Sequence, residues 1–389
     1  MRIAIFSDTF PPQTNGVANT AYQSAQSLSE AGHEVIAVTA AARANRKILT
    51  DNNKFKILFC PSTSTKIYPG ERLALPLSLS VVRTIKKFRP EIIHSHTPFS
   101  LGWGAILAAK ISGAKLVGTH HTFYNHYLKH IKLDFAWTER FSWKYTLKNY
   151  NCCDLFISPS KALADDLVQH GLRPPIKILA NTINTDFFKP VPREVKKELK
   201  SKFRVGEQTL VYMGRLSYEK SIDQVLRAFS LVVKINPKID LLIVGDGPER
   251  GKLEELANHL GIEEKTKFTG SLRGKDLVES LEAADVFITA SKTENMPLSV
   301  LEAMATGLPI IAVPEKGLPE IVKDKVNGLM ATADDVQSLA EKILALFADK
   351  QLLLTMGSAS KTLALEHSPA RILARLEKIY RELLNNKEI

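Results

Sequence analysis

Cysteine is scarce. Three occur in 389 residues, Cys60, Cys152 and Cys153, too few for a disulfide framework, which points to a reducing compartment. The adjacent Cys152-Cys153 pair lacks zinc-site spacing, and burial as small hydrophobes is the ordinary use of such residues. No run reaches 18 apolar residues, so no membrane-spanning helix is expected. The opening Met1-Arg2-Ile3-Ala4-Ile5-Phe6-Ser7-Asp8 is too short and too soon acidic for a secretory signal, and it reads as a first strand. No Asp-x-Asp pair occurs, so a metal held by that motif is not expected. A Walker loop is also missing, which argues against a kinase or NTPase. Internal repeats and low-complexity tracts are absent.

What is present describes a globular chain with enough apolar material for two or three domains: 44% apolar residues and a mean hydropathy of -0.07. The net charge of +11 is unevenly placed. Residues 1–190 hold 23 Lys/Arg against 12 Asp/Glu, whereas residues 191–389 hold 29 of each. The first half should therefore meet an anionic surface or ligand, a membrane or a nucleic acid.

Residues 1–180 alternate short apolar runs (Ile3–Phe6, Val35–Val38, Ile57–Cys60, Ile92–His94, Leu116–Thr119, Leu155–Ser158, Ile176–Leu179) with helical stretches. That alternation predicts a doubly wound α/β domain. Residues 181–206 carry Pro and charge and no strand pattern, and are expected to be the linker. A second α/β alternation fills 207–367, with runs at Leu210–Met213, Leu241–Val244, Phe268–Thr269, Val286–Thr289 and Ile310–Val313. The stretch 368–386 is helical, with Ile372, Leu373, Leu376, Ile379, Tyr380 and Leu383 at helical spacing.

The most informative stretch is 285–328. It reads as a strand (Val286–Thr289), a polar loop (Ser291–Asn295), a helix that Pro297 suits at its first position, a stop at Gly307, and a new strand after Pro309. Two carboxylates frame the unit, Glu294 in the loop and Glu302 one to two turns into the helix. In open parallel sheets ligands bind beyond the strands' carboxyl ends. Carboxylates there can accept hydrogen bonds from sugar hydroxyls, while free helix N–H groups meet phosphate. The competing reading is a pair of solvated surface acids.

The segment "TENMPLSVLEAMATGLPIIA" resembles the Glu-x7-Glu motif of the large family of retaining glycosyltransferases that includes sucrose synthase and the phosphatidylinositol mannosyltransferases. Glu294 and Glu302 stand at its two Glu positions. Many members have Gly-Phe after the first Glu, where this chain has Asn295-Met296, a pairing similar to the diacylglycerol glucosyltransferase branch. The resemblance implies the GT-B architecture, two Rossmann-like doubly wound domains facing across a cleft, with the C-terminal helix 368–386 packing back on the first domain. It also implies donor contacts from Glu294, Asn295, Met296, Pro297, Leu298 and Glu302, with Glu294 on the sugar hydroxyls and Glu302 on the ribose.

"LVYMGRLSYEKSIDQVLRAF" runs strand, loop, helix. Gly214 lets the backbone approach a ligand. Arg215 and Lys220 bracket the loop, and an Arg fork, a Lys point charge and helix N–H groups can neutralise a leaving diphosphate without a metal. In isolation the pair also reads as an ordinary basic loop. Its match to the family's Gly-Arg…Lys pattern implies that Arg215 and Lys220 are catalytic. "GDGP" from Gly245 lacks the third Gly of a dinucleotide fingerprint and resembles the family's turn beneath the nucleotide. "FTGSL", with Gly270, resembles the segment that contacts the base.

On the acceptor side, the loop "SDTFPPQTNGVANT" places Gly16 where the family uses Gly to approach the donor phosphate, although the usual second Gly is Asn15. Asp8 is assigned to the acceptor. Six of the ten histidines fall within 94–130: His94, His96, His120, His121, His126 and His130. A zinc site is the sharp alternative, unsupported by cysteine or HExxH spacing, and any one such histidine is more often structural. "THHT" resembles the family element whose His hydrogen-bonds the transferring sugar, which assigns that role to His121. The segment 123–150 interleaves aromatics with Lys and Arg. This suits a helix in a lipid interface, or an aromatic core face with solvated lysines. His126, Lys129, Lys132, Trp137, Arg140 and Lys144 are its acceptor or membrane residues, and "HHTFYNHYLKH" resembles bacterial diacylglycerol glucosyltransferases.

The expected activity is transfer of a hexose, glucose from UDP-glucose, to a membrane lipid such as 1,2-diacylglycerol. The resemblance implies retention, no cofactor, no metal, and a cytoplasmic enzyme peripheral on the inner face of the cell membrane. A mannosyltransferase acting on phosphatidylinositol or a soluble glycan is the alternative. A UDP-sugar epimerase of the same fold and a basic nucleic-acid-binding protein are the remaining ones, the last without any recognition motif.

Overall fold

The computed structural model describes residues 1–11, 13, 16–40, 54–64, 72–75, 78–121 and 136–385. The chain divides into two compact units, Met1–Thr182 with Pro369–Ile389, and Ile183–Ser368.

The first unit is built on β1 (Arg2–Ser7), β2 (Glu34–Ala40), β3 (Lys56–Cys60), a short antiparallel pair β4 (Ser62–Ser64) and β5 (Arg72–Ala74), then β6 (Ile92–Ser95), β7 (Lys115–Thr119), β8 (Leu155–Ser158) and β9 (Ile176–Ile178). Its seven-stranded sheet has the order β3-β2-β1-β6-β7-β8-β9, and every pairing in it is parallel. Central strands such as Ile3–Phe6 are buried on both faces, which is why they read as continuous apolar runs rather than alternation. The helix Pro369–Leu384 belongs to this unit. Its Leu376, Ile379, Tyr380 and Leu383 join the core formed by Ile3, Ile5, Val35, Ile92 and Val117.

The second unit carries β10 (Gln208–Met213), β11 (Ile239–Val244), β12 (Thr266–Gly270), β13 (Val286–Ile288), β14 (Ile310–Ala312) and β15 (Gly328–Met330). They form a parallel sheet in the order β12-β11-β10-β13-β14-β15. In each unit the chain starts mid-sheet, works to one edge, and returns to the other side of its first strand. The reversal falls between β1 and β6 and between β10 and β13, the Rossmann switch point where open α/β sheets bind ligands.

Three boundaries differ from the sequence reading. The stretch 181–206 is not a bare linker: it holds the helix Arg193–Phe203, which belongs to the second unit. Of its apolar residues Val195, Leu199 and Phe203 only Leu199 is buried, and ion pairs add to its hold, Lys196 and Lys200 on Asp285 and Lys202 on Asp276 and Glu279. Pro297 is the residue before the helix Leu298–Ala305, with ψ 122°, rather than its first helical residue. The edge strand β15 and the β4–β5 pair, three residues each, are too short to leave a periodic signal.

Candidate active site

The carboxyl edge of the second sheet is a glycine shelf. Gly214 follows β10, Gly245 follows β11, and Gly270 ends β12. Backbone hydrogen bonds string them together, Gly214 N to Val244 O at 2.9 Å and Gly245 N to Gly270 O at 3.0 Å. A Cβ on Gly245 would lie 1.8 Å from the Gly214 carbonyl oxygen, so no other residue fits without moving the turn. Tyr212, buried, donates its hydroxyl to the Arg215 carbonyl at 3.2 Å and pins the start of the loop. Burial, with Glu294 and Glu219 nearby, holds that phenol well above its ordinary range. Arg215 is exposed, while Lys220 ends the short 3-10 turn Tyr218–Lys220 just before the helix Ile222–Ile235.

Across the switch point, the loop after β13 brings Glu294 to Lys220, Nζ to Oε1 2.6 Å, with side chains only 21% and 15% exposed. Ser291 donates to the Glu219 carbonyl at 3.3 Å and ties the two loops together. Asn295, Met296 and Pro297 are buried behind Glu294. Leu298 opens the helix Leu298–Ala305, and Pro297 before it has no side-chain group to cap it. Helix first-turn N–H groups lack intrahelical partners and can meet a ligand or solvent. Glu302 sits one turn further on. Among the described residues no hydrogen bond or ion pair reaches its carboxyl, and desolvation pushes its pKa up to about 7.

Gly317 is a site residue that the sequence reading passed over. Its N–H donates to the Glu294 carbonyl at 3.0 Å, and a Cβ there would fall 1.6 Å from the Asn295 carbonyl oxygen. The signal was present as a lone Gly in "PEKGLPE", but nothing local shows that the loop at 294 leans on it.

At the carboxyl edge of the first sheet, Asp8 is buried and fully engaged. It accepts from Thr97 and Ser100 hydroxyls at 2.5 Å each and from Leu101 N at 3.0 Å. Burial raises its pKa, and these three donors oppose the rise. Its carboxylate anchors the start of the helix Ser100–Ser112, so this geometry gives it a structural task. Gly16 opens the helix Gly16–Glu30, and a Cβ there would meet nothing within 4 Å among the described residues.

Four histidines gather at the same edge. His94 is held at both nitrogens, by Tyr380 Oη at 2.7 Å and Thr119 Oγ1 at 2.6 Å. His120 meets Tyr150 Oη at 2.8 Å. His96 Nδ1 lies 3.0 Å from His121 Nε2, with the two rings stacked 6° from parallel. Burial lowers all four: His94 and His120 to about 3, His121 to about 4, and His96 well below its ordinary value. They are neutral at physiological pH. Among the described residues no three His, Cys, Asp or Glu side chains are grouped to hold a metal ion.

The aromatic-basic segment is described from Ala136 onward, as the helix Ala136–Tyr150. His126, Lys129 and Lys132 lie outside the described residues. The helix has a buried face and an exposed one. Trp143, Leu147 and Tyr150 are buried. Trp137 (67% exposed) and Phe141 (65%) face outward, in one stripe with exposed Arg140, Lys144 and Lys148. No helix among the described residues is long and apolar enough to cross a membrane.

Two Rossmann-like units, each with its ligand edge at the switch point, define the GT-B class of glycosyltransferases. Comparison with known proteins takes this further. The family described as glycosyl transferases group 1 matches residues 194–363, and glycosyltransferase family 4 matches residues 14–187. An alpha-monoglucosyldiacylglycerol synthase of Streptococcus pneumoniae is 32% identical over 338 residues, 85% of this chain and 75% of the relative. A GDP-mannose-dependent alpha-mannosyltransferase of Corynebacterium glutamicum is 28% identical over 86% of this chain and 78% of its own length. Anabaena HepE, solved in complex with UDP, superposes with a TM-score of 0.79 at 20% identity, covering 98% of this chain and 100% of its own, a likeness of fold. The chain belongs to the group 1, family 4 glycosyltransferases, and it is an enzyme of that kind.

Proposed function

We propose that this enzyme moves glucose from UDP-glucose to 1,2-diacylglycerol in a membrane, with retention at the anomeric carbon and without a bound metal. The bond from the anomeric carbon to the β-phosphate oxygen breaks, and the acceptor oxygen takes its place. The hydroxyl proton leaves with the released diphosphate. Arg215 and Lys220 neutralise the charge that grows on that leaving group. The Lys220 ammonium has three N–H donors, so it can hold Glu294 and a phosphate oxygen together. Glu294 accepts from sugar hydroxyls, Glu302 accepts from the ribose, and the glycine shelf lets the diphosphate approach backbone N–H groups. His121 hydrogen-bonds the transferred sugar. The first unit takes the acceptor, peripherally at the inner face of the cell membrane.

The observation that carries the lipid acceptor is the single stripe of Trp137, Arg140, Phe141, Lys144 and Lys148. Two large rings left 65% or more exposed and three cations at helical spacing fit an anionic lipid interface, where the rings enter the headgroup layer and the cations meet phosphate. The synthase relative, named for a diacylglycerol product, supports the same choice.

The mannosyltransferase relative favours one competing reading, transfer of mannose from GDP-mannose to phosphatidylinositol or a soluble glycan. The deciding experiment incubates the enzyme with labelled UDP-glucose or GDP-mannose. Each donor is offered vesicles containing dioleoylglycerol or phosphatidylinositol, and the lipid product is then isolated for anomeric proton coupling. An α-glucosyl diacylglycerol is expected. Mannosyl transfer alone, or a β-linked product, would overturn the proposal.

A further inference from the structure

We infer that Gly317 is a positioning residue for the sugar end of the donor: having no side chain, it lets the loop after β13 carry Glu294 to the hydroxyls of the transferred hexose. The inference rests on the reading of Glu294 as the acceptor of hydrogen bonds from those hydroxyls. Two strand connections meet here backbone to backbone. The Gly317 N–H, in the connection after β14, donates to the Glu294 carbonyl at 3.0 Å. A Cβ on Gly317 would fall 1.6 Å from the Asn295 carbonyl oxygen and 2.6 Å from its carbon. Both peptide groups that flank the Asn295 Cα therefore lean on residue 317.

Conformation does not call for glycine at this position. Its φ of -85° and ψ of -7° are open to any residue. At such a position alanine ordinarily stabilises a fold slightly, through the unfolded chain. What a side chain would cost here is the close approach of residue 295 and nothing else.

Packing decides which side would yield. Behind Gly317, the short helix Leu318–Ile321 is anchored by Leu318 and Ile321, and Val322 follows, all three buried. On the other side, Lys292, Thr293 and Glu294 are only half-buried. That loop is tied at its start, Ser291 to the Glu219 carbonyl at 3.3 Å and Lys292 to Asp334 at 2.7 Å. A methyl at 317 would therefore displace the segment at Glu294 and Asn295 rather than the helix. The glycine shelf at 214, 245 and 270 is joined by its own hydrogen bonds, so the nucleotide end of the donor should not feel the change. A loss confined to the hexose is a division that general destabilisation would not produce.

The test measures Kd for UDP and for UDP-glucose by calorimetry at pH 8, where Glu302 is largely ionised. Wild type, Gly317→Ala, Glu294→Ala and the double variant are compared. Gly317→Ala should keep its Kd for UDP within about 3-fold and bind UDP-glucose about 10-fold or more weaker. Its turnover with dioleoylglycerol vesicles should fall about 100-fold, the cost of a displacement of about 1 Å. Glu294→Ala should show the same division between ligands, and the double variant should lose little more, because the effect passes through Glu294. Equal losses for UDP and UDP-glucose in Gly317→Ala, no loss for either, or a further loss in the double variant would overturn the inference. If Glu294→Ala does not distinguish the two ligands, the sugar contact fails and takes the inference with it. If Gly317→Ala does not fold, amide exchange of the wild type decides. UDP-glucose should slow exchange of the Gly317 N–H by about 10-fold relative to UDP, and equal protection by both would overturn the inference.

Discussion

Glu302 makes the sharpest prediction about donor binding. Its carboxyl is desolvated, receives no hydrogen bond among the described residues, and titrates at about 7. If ribose hydroxyls donate to it, they stabilise the charged form and draw the pKa back towards its ordinary 4.5. Binding then favours the ionised enzyme. At pH 6 only about a tenth of a group with pKa 7 is ionised, so the Kd for UDP-glucose should be roughly tenfold weaker there than at pH 8, levelling off above neutrality. The donor itself is silent in this window, since both its phosphates are esterified, which is why UDP-glucose and not UDP is the ligand to use. The buried histidines are silent too, His121 at about 4 and His94 and His120 at about 3. Calorimetric titration in two buffers of different ionisation enthalpy would show proton release at pH 6 to 7. Glu302→Gln should abolish the pH dependence and weaken binding at pH 8 by about 1 to 3 kcal/mol, the worth of a hydrogen bond to a charged group. A wild-type Kd flat from pH 6 to 8, or a slope surviving in Glu302→Gln, would refute the ribose role. The same shift acts on the unliganded fold. A carboxyl whose folded pKa is raised contributes stability present below its unfolded value, and that contribution is lost as pH rises through about 7. Wild type should therefore lose thermal stability between pH 5 and 8 relative to Glu302→Gln.

Arg215→Ala should lower kcat by about 100-fold or more at unchanged melting temperature, because the side chain is exposed and its proposed work is on the leaving group; near-normal turnover would remove the assignment. Gly245→Ala should fail to bind UDP-glucose and melt earlier by steady-state calorimetry, since its methyl would sit 1.8 Å from the Gly214 carbonyl oxygen; a wild-type profile would show that the turn relaxes freely. Binding to vesicles containing phosphatidylglycerol should weaken with salt. Replacing Arg140 and Lys144 by Ala should cost about 1 kcal/mol per residue near the surface, read by sedimentation. Unchanged sedimentation would sink the membrane face.

Much of the fold was legible because a strand buried on both faces announces itself as a continuous apolar run. Ile3–Phe6 and Leu241–Val244 could be read that way, and β15, with three residues, could not. The family and the enzyme class were legible from Glu294, Glu302 and their Pro and Gly surroundings, since the motif is long and local. What escaped was long-range. Gly317 supports the loop at Glu294 from the next βα connection. The carboxylate of Asp8 is committed to Thr97, Ser100 and Leu101, about 90 positions later in the chain. Helix Arg193–Phe203 hid as a linker because its three apolar positions, of which only Leu199 is buried, lie among charged residues whose partners are distant in sequence. The aromatic-basic segment gave two readings because its helix has two faces, and periodicity alone cannot say which ring faces out.

The helix Pro369–Leu384 completes the core of the unit that begins the chain, while residues 183–368 run as one uninterrupted block. Genetic dissection should therefore be asymmetric. A fragment of 183–368 has all its own strands and should fold by itself. A fragment ending at 182 leaves Ile3, Ile5 and Val117 without Leu376, Ile379 and Tyr380 against them, and strips His94 of its Tyr380 partner. A premature stop codon near residue 370 would thus damage the half of the enzyme synthesised first.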